Sequence, residues 1–217
     1  YYRNWMHELP PLRHSERGTV IDLHHAITPL TSRVRVDTRL LLRETVAVPG
    51  MVFHTLSPRD IVLHCVCHLM CEGEFPHGLR DLFDIYELLE HFGEASSSRA
   101  AFWSDLAERA DQLGLGRLLA HAASMLTNRF HLVVPPESRR WIVTRLPPPP
   151  ARGLVGWLLE RGIVGGPGPA LTDSLVAWML LARSHYLRMP LRLLVPHFAW
   201  KGWNRLAQVG RGGVSEP

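Results

Sequence analysis

The alternation of apolar and polar positions picks out one stretch of the chain first. Over residues 19–27, Ile21, Leu23, His25 and Ile27 fall on one face, and Val20, Asp22, His24 and Ala26 fall on the other. That two-residue period predicts a strand. Pro10-Pro11 before it and Pro29 after it punctuate the run. Residues 34–42 suit either a second extended piece or a short helix. Val46, Val48, Val52 and Phe53, placed around Pro49-Gly50, predict a hairpin or a lead-in loop over 45–53.

From Leu56 the period becomes helical. Leu56-Ser57-Pro58-Arg59-Asp60 is a start signal. Ser57 is a natural N-cap, Pro58 suits the first helical position, where no N–H is needed, and Asp60 can return to the cap in the manner of a capping box. The helix is predicted to end near Cys71. Further helices are predicted over 79–92, with Leu82, Phe83, Tyr86 and Leu89 as the apolar stripe, and over 99–113. The second of these is capped by Ser97 or Ser98, with Phe102, Leu106, Ala110 and Leu113 inward. Gly114 and Gly116 break it, and helices over 117–130 and 137–146 follow.

The four prolines 147–150 make a stiff spacer. Beyond them the pattern gives a short helix over 153–161, a flexible Gly- and Pro-rich run over 162–169, and a helix from a Thr172 cap to about Leu187. Met189-Pro190 interrupts, a last helix spans 191–207, and a disordered tail closes the chain at 210–217. The predicted class is α+β and predominantly α, with a short N-terminal β-strand region followed by a multi-helix bundle. The expected units are 1–55, a helical domain over 56–146, C-terminal helices over 147–209, and the tail.

A chain of 217 residues has room for one domain or one and a half. With 46% hydrophobic and 20% charged residues it is ordinary globular material, which argues against a disordered or collagen-like class. A formal charge of +4 and a pI of about 9.3 permit an acidic partner such as a nucleotide phosphate without requiring one. The three cysteines, Cys65, Cys67 and Cys71, sit too close together for a disulfide framework, so a reducing cytoplasm is expected. No secretory signal opens the chain, and no apolar run approaches the roughly 18–20 residues of a membrane span. The chain opens Tyr1-Tyr2-Arg3-Asn4-Trp5, as if entered within a structural unit, and the expectation is a piece of a longer protein. P-loop, dinucleotide-binding, H-E-x-x-H zinc and G-x-S-x-G patterns are absent from the sequence.

Three groups of residues can carry chemistry. Asp22 lies between apolar neighbours on the predicted strand, which is how a sheet presents a metal ligand to a cleft, and His24 shares its face; a surface Asp on an edge strand is the other reading. His64 and His68 stand four apart on a helix, with Cys71 continuing the line and Asp81 and Asp84 on the next helix. A metal-dependent hydrolase site is one reading; core histidines tying two helices together through Asp81 or Asp84 is the other. The third group is basic and aromatic: Arg183, His185, Arg188, Arg192, His197, Lys201 and Arg205, interleaved with Trp178, Tyr186, Trp200 and Trp203. It suits nucleic acid or an anionic surface, or equally an amphipathic helix pair with its aromatics inside.

Several segments in order suggest a family. They are His7-Glu8-Leu9-Pro10-Pro11-Leu12, Ile21-Asp22-Leu23-His24-His25, Leu56-Ser57-Pro58-Arg59-Asp60, the stretch from His64 to His68, and Gly78-Leu79-Arg80-Asp81-Leu82-Phe83-Asp84. Phe102-Trp103 and Ser184-His185-Tyr186-Leu187-Arg188-Met189-Pro190 also fit. Over about residues 7–200 the chain resembles the C-terminal two-thirds of an uncharacterised, bacterial-type nucleotidyltransferase family of the DNA polymerase β-like superfamily.

The resemblance implies that 1–55 is the C-terminal piece of a nucleotidyltransferase sheet. It also implies a Mg2+-dependent transfer of a nucleotidyl group from a nucleoside triphosphate to an acceptor. Superfamily members hold their metal with a D-x-D pair and a third carboxylate on a neighbouring strand, and the triphosphate with a Gly-Ser motif. Asp22 matches the third carboxylate, and is the expected catalytic and metal-binding residue. Arg33, Arg35, Arg39 and His24 are the expected nucleotide-binding residues, and Arg80 is expected to pair with Asp84 or, farther along the helix, with Glu87. The Gly-Ser motif and the D-x-D pair do not occur in these residues, so the chain by itself is expected to be inactive. A non-catalytic helical binding module is the alternative.

Overall fold

The computed structural model describes residues 7–165, 170–194 and 196. It opens with a two-stranded antiparallel ribbon. β1 (Leu12–Arg13) pairs with β2 (Val20–Ile21), Leu12 opposite Ile21 and Arg13 opposite Val20. The His14 ring accepts the backbone N–H groups of Glu16 and Arg17 in the connecting turn, and Gly18 takes the φ of 68° that this turn needs. Farther along, a single bridge joins Glu8 to His24. Residues 9–11 on one strand and 22–23 on the other separate the two pairings, so the first strand carries one residue more. The ribbon is therefore bulged at Pro10-Pro11, where no ladder N–H exists, and Asp22 lies across from the bulge.

The strand expected over 19–27 is thus realised as two paired residues and one bridge. Both faces of it are bare: Val20 is 51% exposed and Ile21 63%. A ribbon of two strands has too few cross-strand neighbours to hold a long ladder.

After the ribbon, α1 (Thr38–Arg43) settles the ambiguous stretch as a short helix, its first turn capped by Asp37 through the Arg39 N–H. β3 (Val46–Ala47) and β4 (His54–Thr55) form the predicted hairpin. α2 (Pro58–Cys71) begins where the sequence indicates, with the Asp60 N–H donating to Ser57 Oγ at 3.3 Å. The reciprocal half of the capping box is not made. Asp60 is fully buried, and both its carboxylate oxygens are taken by Arg109.

α3 (Gly78–Ala95), α4 (Arg99–Gln112), α5 (Gly116–Phe130) and α6 (Pro136–Arg145) follow, with Ser98 capping α4. One buried cluster joins them. It takes Val62, Leu63, Val66 and Met70 from α2, Leu82, Ile85 and Leu89 from α3, Phe102, Trp103, Leu106 and Ala110 from α4, and Leu119 and Leu126 from α5. The buried stripe of α3 therefore runs through Ile85. Phe83 and Tyr86 stack beside it, with ring centroids 5.8 Å apart, and meet Phe130 at the surface.

Residues 147–150 lead into α7 (Ala151–Ile163) and then α8 (Ala170–Arg188). Leu158, Leu159, Ile163, Val176 and Leu180 enter the same buried cluster as the helices before the prolines. Two local expectations change here. Thr172 lies inside α8 rather than at its cap. Gly162 belongs to α7, pressed against Leu180 and Phe75, where a side chain would collide. The rest of the predicted last helix and the tail lie outside the described residues. Among the described residues no helix is long and apolar enough to cross a membrane.

Candidate functional site

Asp22 follows β2 directly and is exposed, its strand neighbours Ile21 and Leu23 exposed with it. Nothing among the described residues covers that side of the ribbon. His24, two residues on, makes a cross-strand contact instead of facing a ligand alone: its Nε2 lies 3.6 Å from Glu8 Oε2, and its ring meets His7 edge-on with centroids 4.9 Å apart. His7 and Glu8 carry no functional expectation in the sequence beyond their place in a resemblance. Only the pairing of Glu8 with His24 shows that they belong with it.

The three arginines beyond the ribbon separate. Arg33 is spent on α8: its backbone N–H donates to the Leu187 carbonyl, its Nε donates to the Tyr186 carbonyl at 2.9 Å, and its guanidinium lies 4.2 Å from the centre of the Tyr186 ring. Thr31 and Ser32 add hydroxyl bonds to the Arg188 and Leu187 carbonyls. This segment closes the C-terminal end of α8, whose last carbonyls lack helical partners. Arg35 and Arg39, by contrast, line an open cleft of about 460 Å3 with His25, Thr28, Asp37 and Thr38. Their side chains make no hydrogen bond or ion pair among the described residues. The cleft is bounded by His25 rather than by Asp22 or His24.

Next to α1 lies a dense network of ion pairs. Arg109 donates to both oxygens of Asp60, to Glu44 Oε1 at 2.7 Å and to the Leu40 carbonyl at 2.8 Å. Arg59 takes the other oxygen of Glu44 at 2.8 Å. The Leu40 carbonyl and the C-cap residue Glu44 of α1, the helix that lends Thr38, Arg39 and Leu42 to the cleft, are thereby locked to α2 and α4.

The histidine–aspartate group on α2 and α3 does not assemble. Among the described residues one group of three or more His, Cys, Asp or Glu side chains converges closely enough for a metal, and it is His7, Glu8 and His24. His64 is half-buried and His68 exposed, and neither bonds to Asp81 or Asp84. It is Cys65, one position round the helix, that feels the two carboxylates: burial first, then Asp84 and Asp81, push its thiol up from the ordinary range. Asp84 pairs instead with Arg80 at 3.8 Å, as the spacing of four predicts. A hydrolase site built on His64, His68, Asp81 and Asp84 therefore has no geometric basis.

The basic C-terminal group is also largely committed to structure where it is described. Arg183 donates to the Met70 carbonyl, Arg188 to Glu72, and Ser184 to the Cys71 carbonyl, so α8 caps the end of α2. His197, Lys201, Arg205, Trp200 and Trp203 lie outside the described residues.

Fold and site together define a predominantly helical protein with an acid-bearing β-ribbon at its N-terminal end and a cleft lined by two arginines beside it. The chain belongs to a family of uncharacterised nucleotidyltransferases, whose model matches residues 1–131. The matched span takes in the ribbon, the cleft and α1 to α5 and stops before α6. Comparison with curated proteins and with solved structures finds no match.

Proposed function

We propose that this chain supplies one metal-ligating carboxylate, Asp22, and two phosphate-facing arginines, Arg35 and Arg39, to a Mg2+-dependent nucleotidyltransferase. The enzyme would move a nucleotidyl group from a nucleoside triphosphate to an acceptor. The observation that carries the reading is the placement of Asp22: exposed, next to β2, across from a proline bulge, with apolar residues on either side along the strand. Bulges commonly re-aim a side chain beside an active site.

Mg2+ demands oxygen ligands in near-octahedral array and usually takes more than one carboxylate. The described residues do not meet that demand: no convergent group of three potential ligands among them includes Asp22. The remaining ligands and the triphosphate-holding motif are therefore assigned to polypeptide outside these 217 residues, and the chain alone is expected to be inactive. On this reading the bare Leu12, Ile21 and Leu23 on one face of the ribbon, and Val20 on the other, are apolar area that elements completing the sheet would cover. Arg35 and Arg39, free in a cleft of ligand size, would hold phosphate oxygens by charge-assisted hydrogen bonds. His24 would act through the ribbon rather than on the nucleotide, and Arg33 would hold α8.

The test is nucleotide binding by the gene product read upstream of Tyr1, followed with a fluorescent nucleoside triphosphate. The expected result is a Gly-Ser and D-x-D segment upstream, Mg2+-dependent binding, and at least about tenfold weaker binding in Arg35→Ala and Arg39→Ala, in line with the loss of a charged hydrogen bond. No such segment, and no Mg2+-dependent binding, would overturn the proposal.

A further inference from the structure

The ribbon brings together three side chains that the proposed transferase chemistry leaves unused. Glu8 and His24 face each other across the two strands, 3.6 Å apart between Oε2 and Nε2. His7 closes on them from the neighbouring position, and ligand atoms of all three residues lie within 4.8 Å of one another. In a tetrahedral zinc site with bonds of about 2.0–2.2 Å, adjacent ligand atoms sit roughly 3.4 Å apart. The Glu8–His24 separation is already close to that edge, and the His7 donor lies within 4.8 Å of both.

Two further observations single this cluster out from an ordinary surface ion pair. His7 Nδ1 is buried without any hydrogen-bond partner, a condition native proteins seldom leave uncompensated. The backbone beneath it is fixed, because the His7 carbonyl accepts the N–H groups of both His25 and Ala26, and the Leu9 N–H donates to the Leu23 carbonyl. The donors are thus held on a defined frame.

We propose that His7, Glu8 and His24 form a binding site for a divalent transition-metal ion, zinc being the best match, with one coordination position left to water. Two imidazoles and a carboxylate are a borderline donor set that suits zinc and its neighbours rather than the hard Mg2+ assigned to Asp22. Metal-binding imidazoles must be neutral. The bound ion would bridge the two strands on the far side of the Pro10-Pro11 bulge and so fix the ribbon that carries Asp22. The site stands whether or not the transferase reading does.

The experiment uses the intact 217-residue chain, stripped with a chelator and titrated with Co2+ as a spectroscopic probe and with Zn2+ by calorimetry. Expected are one ion per chain, visible absorption typical of low-coordinate Co2+, a thermal midpoint raised by Zn2+, and at least about tenfold weaker binding in His7→Ala and His24→Ala. Glu8→Gln should weaken binding as well, and His54→Ala, a histidine on β4 outside the cluster, should not. Far-UV circular dichroism checks that each variant keeps its helices, which the ribbon does not build. Absence of stoichiometric binding would overturn the proposal. So would binding unchanged in both histidine variants, or a thiolate charge-transfer band that moves the ion to Cys67 and Cys71.

Discussion

Asp60 and Arg109, 49 positions apart, meet in a two-pronged ion pair in the interior: Nε to Oδ1 at 2.8 Å and Nη2 to Oδ2 at 2.9 Å, the side chains 0% and 3% exposed. The same guanidinium holds Glu44 and the Leu40 carbonyl, so one arginine ties α1 to α2 and α4. A buried pair of this kind returns its desolvation cost only while every partner is present. Arg109→Ala leaves Asp60 charged, buried and alone, and is expected to cost about 3–5 kcal/mol. Urea unfolding measures it. The double variant Asp60→Leu/Arg109→Met should recover a large part of the loss. Additive losses in the double variant would show that the two residues are not coupled.

A tight backbone approach holds α8 against the turn after α2. At Gly73 an added Cβ would meet Ser184 Cβ at 2.9 Å and the Leu181 Cα at 3.1 Å. The second of these atoms is backbone and cannot swing away. Gly73→Ala is expected to destabilise by about 1–3 kcal/mol, as overpacking does. It should also loosen the Ser184 bond to the Cys71 carbonyl, which faster hydrogen exchange in α8 would reveal. Unchanged stability would mean that α8 does not pack as described.

His121 gives the fold a pH dependence. It is buried on α5 beside a small cavity of about 260 Å3 shared with Arg152, Trp157 and Glu160. Burial first, then the charges of Arg183, Arg117 and Arg152, push its pKa down to about 4 from an ordinary 6.5. The folded state therefore resists the proton that the unfolded chain accepts. Stability from this residue is complete above about pH 6.5 and is lost as the pH falls from there toward 4. The loss is about 3 kcal/mol at 1.4 kcal/mol per unit. Unfolding free energies at pH 7 and pH 4.5 should diverge in the native chain and converge in His121→Gln. Equal slopes in the two proteins would contradict the assignment.

Local signals carried most of the helical half. Ser57-Pro58 and Ser98 start their helices where the sequence places them because a cap is a contact between residues two or three apart. Phe102, Leu106, Ala110 and Leu113 are all buried, since a helical stripe is a purely local pattern. What escaped depends on distant partners. The carboxylate of Asp60 looked free to return to its cap, yet Arg109 claims it from α4. Arg33 looked like a phosphate ligand beside Arg35 and Arg39, yet Tyr186 and Leu187 claim it. The alternation over 19–27 is real but has only a two-stranded ribbon to express it. The grouping of His7 and Glu8 with His24 follows from a strand register shifted by a bulge, which no spacing along the chain encodes.

On the proposed function, Asp22 is a metal-ligating carboxylate of a nucleotidyltransferase. Its most direct test is pyrophosphate release from nucleoside triphosphates by the gene product that includes the sequence upstream of Tyr1, native against Asp22→Asn, with Mg2+ present. Asp22 lies on an exposed ribbon away from the helical core, so the substitution should leave the helices intact. A fall of about a hundredfold or more in Mg2+-dependent release, with unchanged circular dichroism, is the predicted result. Release by Asp22→Asn at the native rate would contradict it.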